Sequence, residues 1–187
     1  MKLENSFEVP ASPEAAWELL LDVPRVVPCM PGAELTEVVD DSNWKAKMAV
    51  RLGPISLTFA TDVERTEIDE AGRRVLLSAS GRELRGRGQA RAKVESSLAA
   101  ANGGTRVNIV TDLSLSGPAA QYGRGIVADV SEQLVDRFAD CLRAQLDEEQ
   151  PEVAEAAVAQ AAKPVSGLRL GLAAIWRALT RPFRRKR

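Results

Sequence analysis

The chain has 187 residues, of which 45% are apolar and 27% charged, with a net charge of −1, no histidine and two cysteines. That is enough apolar material for one core plus appendages. It excludes a disulfide-dense scaffold, a histidine-based metal or catalytic centre, and a membrane-spanning helix, which needs roughly 20 consecutive apolar residues.

The charge is unevenly placed. Eight of the 25 basic residues and no acid lie from Lys163 to Arg187, so the body before them is acidic, at −9, and the tail is basic. Residues 2–9 alternate, with Leu3, Asn5, Phe7 and Val9 opposite Lys2, Glu4, Ser6 and Glu8, the period of a half-buried strand that Pro10 ends. Met1 leads straight into this pattern without a leader segment, and Cys29 and Cys141 are far apart in sequence, so two isolated cysteines in a reducing cytosol are expected. Ser12 followed by Pro13 reads as an N-cap with proline in the first turn, and Ala16, Trp17, Leu20 and Leu21 give the short helix an apolar face. Pro24, Pro28 and Pro31 then forbid regular structure as far as Gly32, leaving an ordered loop or a broken turn of helix.

From Ala33 the two-residue period returns. Leu35, Glu37 and Val39 alternate first, followed by Trp44, Ala46, Met48, Val50 and Leu52, then Ile55, Leu57, Phe59, Thr61 and Val63, then Val75, Leu77 and Ala79. Gly88, Ala90, Ala92, Val94 and Leu98, and then Val107, Ile109, Thr111, Leu113 and Leu115, form the inner faces of the last two strands. Turn residues separate these runs at Asp40–Asn43, Gly53–Pro54, Asp69–Gly72, Arg85–Gly86 and residues 100–104. A long amphipathic helix is expected from Gly117 to Gln150, because Ile126, Val130, Leu134, Phe138, Leu142 and Leu146 recur every four residues, with Val127, Val135 and Cys141 widening the stripe.

The order predicts an α+β fold: a curved antiparallel sheet of about seven strands wrapped around a long C-terminal helix, the only element large enough to cover the sheet's dry face. The small inner residues Gly88, Ala90 and Ala92 either leave a cavity under that helix or let it pack tightly, and periodicity does not separate the two.

Candidate chemistry is thin. Asp40 and Asp41 sit in a turn, where capping is the common role; Asp62 and Glu64 fall on the wet strand face; Gly81, Gly86 and Gly88 are too loosely spaced for a nucleotide fingerprint. No catalytic residue and no metal site is expected.

Four stretches carry a family resemblance: Val27-Pro28-Cys29-Met30-Pro31-Gly32-Ala33-Glu34, Gly53-Pro54-Ile55, Gly86-Arg87-Gly88, and Gly117-Pro118-Ala119-Ala120-Gln121-Tyr122-Gly123-Arg124-Gly125. Together they resemble the CoxG subunit of carbon monoxide dehydrogenase, a family of the START-like (Bet v 1-like) superfamily, over roughly residues 1–146. The resemblance implies a helix-grip domain, taken here as residues 1–150, that holds a hydrophobic small molecule between sheet and helix and has no covalent cofactor. It implies as partner a molybdenum-containing carbon monoxide dehydrogenase or related hydroxylase, which makes a respiratory quinone, or another lipid, the expected ligand. A ligand-free recruitment or assembly adaptor is the alternative, and an enzyme acting on an apolar substrate a further one. The ligand-facing residues expected are Met30 and Pro31 as an apolar lip, Met48, Phe59, Val63, Leu77, Ala90 and Ala92 on the sheet, and Tyr122, Ile126, Val130 and Leu134 on the helix. The loop from Pro28 to Gly32 also reads as a purely structural corner, and Arg124 as a solvated cation.

Residues 151–165 read as a semi-flexible linker with room for some helix, and 166–187 as a tail. If helical, the tail places Leu168, Leu172, Ile175, Trp176, Leu179 and Phe183 within about 100° of arc, opposite Arg177, Arg181 and Arg184, and it ends in Arg184-Arg185-Lys186-Arg187. This is the composition of a helix lying in an anionic membrane surface, so a peripheral position on the inner face of the cytoplasmic membrane is expected. A helix packed back on the domain, a partner-binding helix and a basic nucleic-acid arm are the other readings, the last opposed by the acidic body.

Overall fold

The computed structural model describes residues 1–161, with side chains as far as Asp147; the end of the expected linker and the whole expected membrane tail, residues 166–187, lie outside the described residues. Seven strands form one antiparallel sheet: β1 (Lys2–Val9), β2 (Ala33–Val38), β3 (Asn43–Leu52), β4 (Ile55–Asp69), β5 (Arg74–Glu83), β6 (Gln89–Ala101) and β7 (Gly104–Leu115). Their spatial order is β1-β7-β6-β5-β4-β3-β2, so the hairpins predicted from alternation pair in sequence and the first strand returns to lie beside the last. Two short helices, α1 (Pro13–Leu21) and α2 (Val23–Val26), and a 3-10 turn (Val27–Cys29) fill the excursion between β1 and β2. The long helix α3 runs from Arg124 to Ala161.

Local chemistry accounts for these boundaries. The Ser12 side chain accepts the Ala15 N–H at 3.2 Å, with Pro13 in the first turn of α1, as expected for a capped start. Asp40 accepts from the Ser42 N–H and from Asn43 at 2.8–3.0 Å, which makes it a turn cap. Gly32 follows the prolines at φ +81°, where a Cβ would lie 2.2 Å from the Ala49 carbonyl oxygen; the bare backbone instead accepts the Ala49 N–H at 2.8 Å and stitches the loop to β3.

The main core lies at one end of the sheet. Phe7, Trp17, Leu19, Val75, Leu98, Val107, Phe138, Leu142 and Leu146 are buried together, and Phe7 meets Phe138 edge to face at 6.0 Å between ring centres. Thr105 is fully buried and donates to the Ala11 carbonyl at 2.7 Å. Arg65, half-buried on β4, lies over the Trp44 ring at 5.3 Å and donates to the Leu21 carbonyl at 3.1 Å, tying the sheet to the end of α1.

Two expectations change. The helix predicted to start at Gly117 is divided: Gly117–Gln121 forms a separate 3-10 turn, Tyr122 is extended, and α3 begins only at Arg124. Gly123 and Gly125 weaken helix propensity across this junction. Farther on, α3 continues past Pro151 to Ala161, through the first part of the expected linker.

The second change concerns the cysteines. Cys29 and Cys141, 112 residues apart, form a disulfide with their Cα atoms 5.3 Å apart, which joins the 3-10 turn before β2 to α3. Sequence separation misled, because the proline-broken loop folds back onto the helix. Gln145 on the next turn donates to the Arg25 carbonyl at 3.3 Å and to Cys29 Sγ at 3.2 Å. The inference of a reducing compartment from two isolated cysteines therefore loses its footing.

A crosslink closing so long a loop restricts the unfolded chain and typically contributes about 2–4 kcal/mol. Replacing both Cys29 and Cys141 by serine is expected to lower the unfolding free energy by about that amount in urea titrations. Identical midpoints for the variant and the oxidised protein would show that the bond contributes nothing.

Candidate functional site

Away from the main core, the inner face of the sheet becomes small. Ala79, Gly81, Ala90 and Ala92 lie on neighbouring strands, since Ala79 pairs with Ala92 and Gly81 with Ala90 across β5 and β6. A helix resting on larger side chains at one end cannot follow this surface down, and a chamber of about 280 Å³ remains between sheet and helix. Gly81 sits close to the neighbouring strand, where a Cβ would come within 3.0 Å of Thr61 Oγ1 and 3.1 Å of Phe59 Cβ.

The chamber is bounded by Leu3, Met48, Val50, Leu52, Phe59, Leu113, Leu115 and Ala119, and by Val127, Val130 and Leu134 from α3, besides the four small residues. Its polar side chains are three hydroxyls, those of Thr61, Thr111 and Ser131; no ionisable group lines it. Apolar wall left in contact with water is unfavourable, at roughly 25 cal/mol for each Å² of it. A volume of this kind is more stable with an apolar occupant.

Of the residues expected to face a ligand, Met48, Phe59, Ala90, Ala92, Val130 and Leu134 line the chamber. The others do not. Met30 is half-buried against the main core, so the loop it belongs to is a structural corner rather than a lip, and neither Met30 nor Pro31 reaches the chamber. Leu77 also packs against the main core, and Val63 stands opposite Trp44 on β3, outside the chamber. Tyr122 packs on the second apolar cluster with Phe59 and Leu57. Ile126 is 46% exposed, because the helix start turns it outward and Val127, 5% exposed, faces inward instead. Alternation alone would have added Leu3, Val50, Leu52, Leu113 and Leu115, which continue the strand faces that line the chamber.

The chamber's end wall is held by the β5–β6 turn. Glu83, with its side chain 3% exposed, accepts the N–H groups of Arg85 at 2.9 Å and Arg87 at 3.1 Å and pairs with the Arg87 guanidinium at 3.2 Å. Arg87 also reaches the Ser56 carbonyl at 3.5 Å. The backbone crosses so closely here that a Cβ on Gly88 would lie 2.3 Å from the Ser116 oxygen, and one on Gly117 would lie 1.9 Å from the Arg87 oxygen. One glycine from each of two motif stretches, Gly88 and Gly117, thus serves this crossing. Among the described residues there is no cluster of three or more potential metal ligands.

Comparison with known proteins agrees with this geometry. The sequence profile of the carbon monoxide dehydrogenase CoxG subunit matches residues 6–147. No curated protein matches the chain. Among solved structures, a conserved protein from Geobacillus kaustophilus superposes with a TM-score of 0.70 at 19% identity, covering 79% of this chain and 96% of its own. The aromatase/cyclase Zhui from Streptomyces sp. R1128 gives 0.56 at 14% identity over 79% and 93%. A START superfamily protein from Mycobacterium smegmatis gives 0.52 at 16% identity over 79% and 97%. The expected START-like helix-grip is therefore the observed fold.

The Arg87 guanidinium, and then the Arg87 and Arg85 N–H groups, hold the Glu83 carboxyl below its ordinary value of 4.5 against the opposing effect of burial. A lowered folded pKa means that the interaction stabilises the fold fully above the ordinary carboxylate range and is lost as pH falls through the depressed value. Glu83→Gln is expected to be less stable than the parent at neutral pH and to converge with it in acid, as read by thermal unfolding across pH 3–7. A gap that stays constant across that range would contradict this role.

Proposed function

The chain belongs to the CoxG family of carbon monoxide dehydrogenase subunits, and from that footing we propose that it is an accessory carrier, holding an uncharged hydrophobic molecule between the sheet and α3. The observation that carries the proposal is the chamber: about 280 Å³, walled by apolar side chains with three hydroxyls and no charge. A charged head group would lose its hydration there without gaining a partner.

A respiratory quinone is the ligand that best joins this chamber to the family. Its ring is flat, uncharged and apolar apart from its oxygens, and hydroxyls on an apolar wall suit such a group. At about 30 Å³ for each group the size of a water molecule, the chamber takes on the order of ten, enough for a ring and too few for a long isoprenoid tail as well. In this reading the ring is held and the tail continues outside. The partner is a molybdenum-containing carbon monoxide dehydrogenase or related hydroxylase, and the protein carries the quinone between that enzyme and the membrane pool. No helix among the described residues is long and apolar enough to cross a membrane. In this reading the tether is the basic tail around Trp176 and Phe183, whose sequence combines apolar and cationic residues suited to an anionic membrane surface.

Solvent extraction of the protein purified from its native membrane fraction, followed by mass spectrometry, is expected to release an isoprenoid quinone in near-stoichiometric amount. Ala92→Trp, which fills the chamber at an overpacking cost of about 1–3 kcal/mol, is expected to fold and to release little or none. A parent protein that releases no apolar molecule would remove carriage and leave the ligand-free adaptor.

A further inference from the structure

The chamber has a polar neighbour. Leu3 and Ser131, which line it, also line a second recess of about 380 Å³ between β1 and α3, whose other walls include Lys2, Glu4, Asn5, Arg124 and Glu132. The recess exists because β1 is an edge strand: β7 takes its hydrogen bonds on one side, and α3 meets the other only through side chains. Arg124 Nη2 donates to the Lys2 carbonyl at 3.1 Å, and Ser131 Oγ donates to Asn5 Oδ1 at 3.1 Å. Both bonds lie on the half of α3 that covers the chamber. The other half is fixed by Phe138, Leu142, Leu146 and the Cys29–Cys141 bond.

The walls of this seam indicate what it would take. Two cations, Lys2 and Arg124, and three carboxylates, Glu4, Glu132 and Asp136, line it, with Lys2 already paired to Glu4 at 2.8 Å, so the seam does not favour an anion, and its apolar neighbour does not favour a charged ligand. It offers hydrogen-bond donors beside an apolar chamber too small for a long molecule. We infer that the seam between β1 and the start of α3 is a second subsite, which seats a hydrogen-bonding oxygen of an uncharged amphipathic ligand whose apolar body fills the chamber, and that the ligand enters there. Ser131 stands at the boundary of the two spaces and donates to that oxygen in place of Asn5. Ala128, small and half-buried on the seam's helix wall, leaves the passage clear.

This inference rests on the carrier reading, and the test separates the two. Menadione and methylnaphthalene share a fused ring system, but only menadione has carbonyl oxygens. In calorimetric titrations of the full chain, Ser131→Ala is expected to weaken menadione by roughly three- to tenfold, the worth of one hydrogen bond, and to leave methylnaphthalene unchanged. In stopped-flow tryptophan quenching, Ala128→Trp is expected to slow menadione association and dissociation together by about tenfold or more, since a narrowed passage acts on rates. Arg124→Ala, an exposed change that spares the core, is expected to speed both. Binding of menadione by the parent with Ser131→Ala weakening both ligands equally, or with rates unmoved by Ala128→Trp and Arg124→Ala, overturns the seam and leaves the carrier reading intact. A parent that binds neither ligand overturns both.

Discussion

The packing of α3 on the sheet is the constraint from which the rest of the structure follows. At one end the helix rests on Phe7, Val75, Leu98 and Val107 through Phe138, Leu142 and Leu146, and the Cys29–Cys141 bond fastens it there. That contact sets the height of the first turns of the helix above the sheet, because a helix is stiff over a few turns. Toward its start the middle strands of the sheet offer Ala79, Gly81, Ala90 and Ala92, flanked by larger residues such as Phe59 and Leu113, and the same height leaves a gap over the small ones. The chamber thus follows in part from small side chains in the middle of one sheet face.

The ends of the chamber depend on backbone crossings rather than on side-chain bulk. Glu83 gathers the N–H groups of the β5–β6 turn, and Gly88 and Gly117 allow that turn to pass against the segment leading to α3. Two motif stretches that lie apart in sequence meet at this crossing through Gly88 and Gly117.

Most strands were legible because one face is more buried than the other, so period-two alternation survived in them, although bulges between Leu35 and Glu37 in β2 and between Arg65 and Glu67 in β4 interrupt it. The small residues at Ala90 and Ala92 marked where space would be left. What alternation could not carry was rotation about the helix axis and the path of the proline loop. Ile126 continues the four-residue stripe, yet it lies in the first turn after two glycines, and Val127 takes the inward position. Prolines at 24, 28 and 31 erase periodicity, so nothing in the local pattern indicated that Cys29 would turn toward α3 or that Met30 would join the main core. Val63 and Leu77 share faces with chamber residues but stand in parts of the sheet outside it, a difference of position along the strand that alternation does not record.

A domain with a size-graded sheet, a helix fixed at its far half and a polar seam beside its near half has the parts of a carrier: a dry volume, a firm anchor and a place where only side chains bridge strand and helix. The most direct measurement is a methyl NMR titration of the full chain, labelled at alanine, valine and leucine, with menadione. Ligand in the chamber predicts shifts concentrated at Ala79, Ala90, Ala92, Val130 and Leu134, while Val75, Leu98 and Leu146 in the main core stay still. Shifts absent at saturation, or confined to residues outside the chamber, would contradict it.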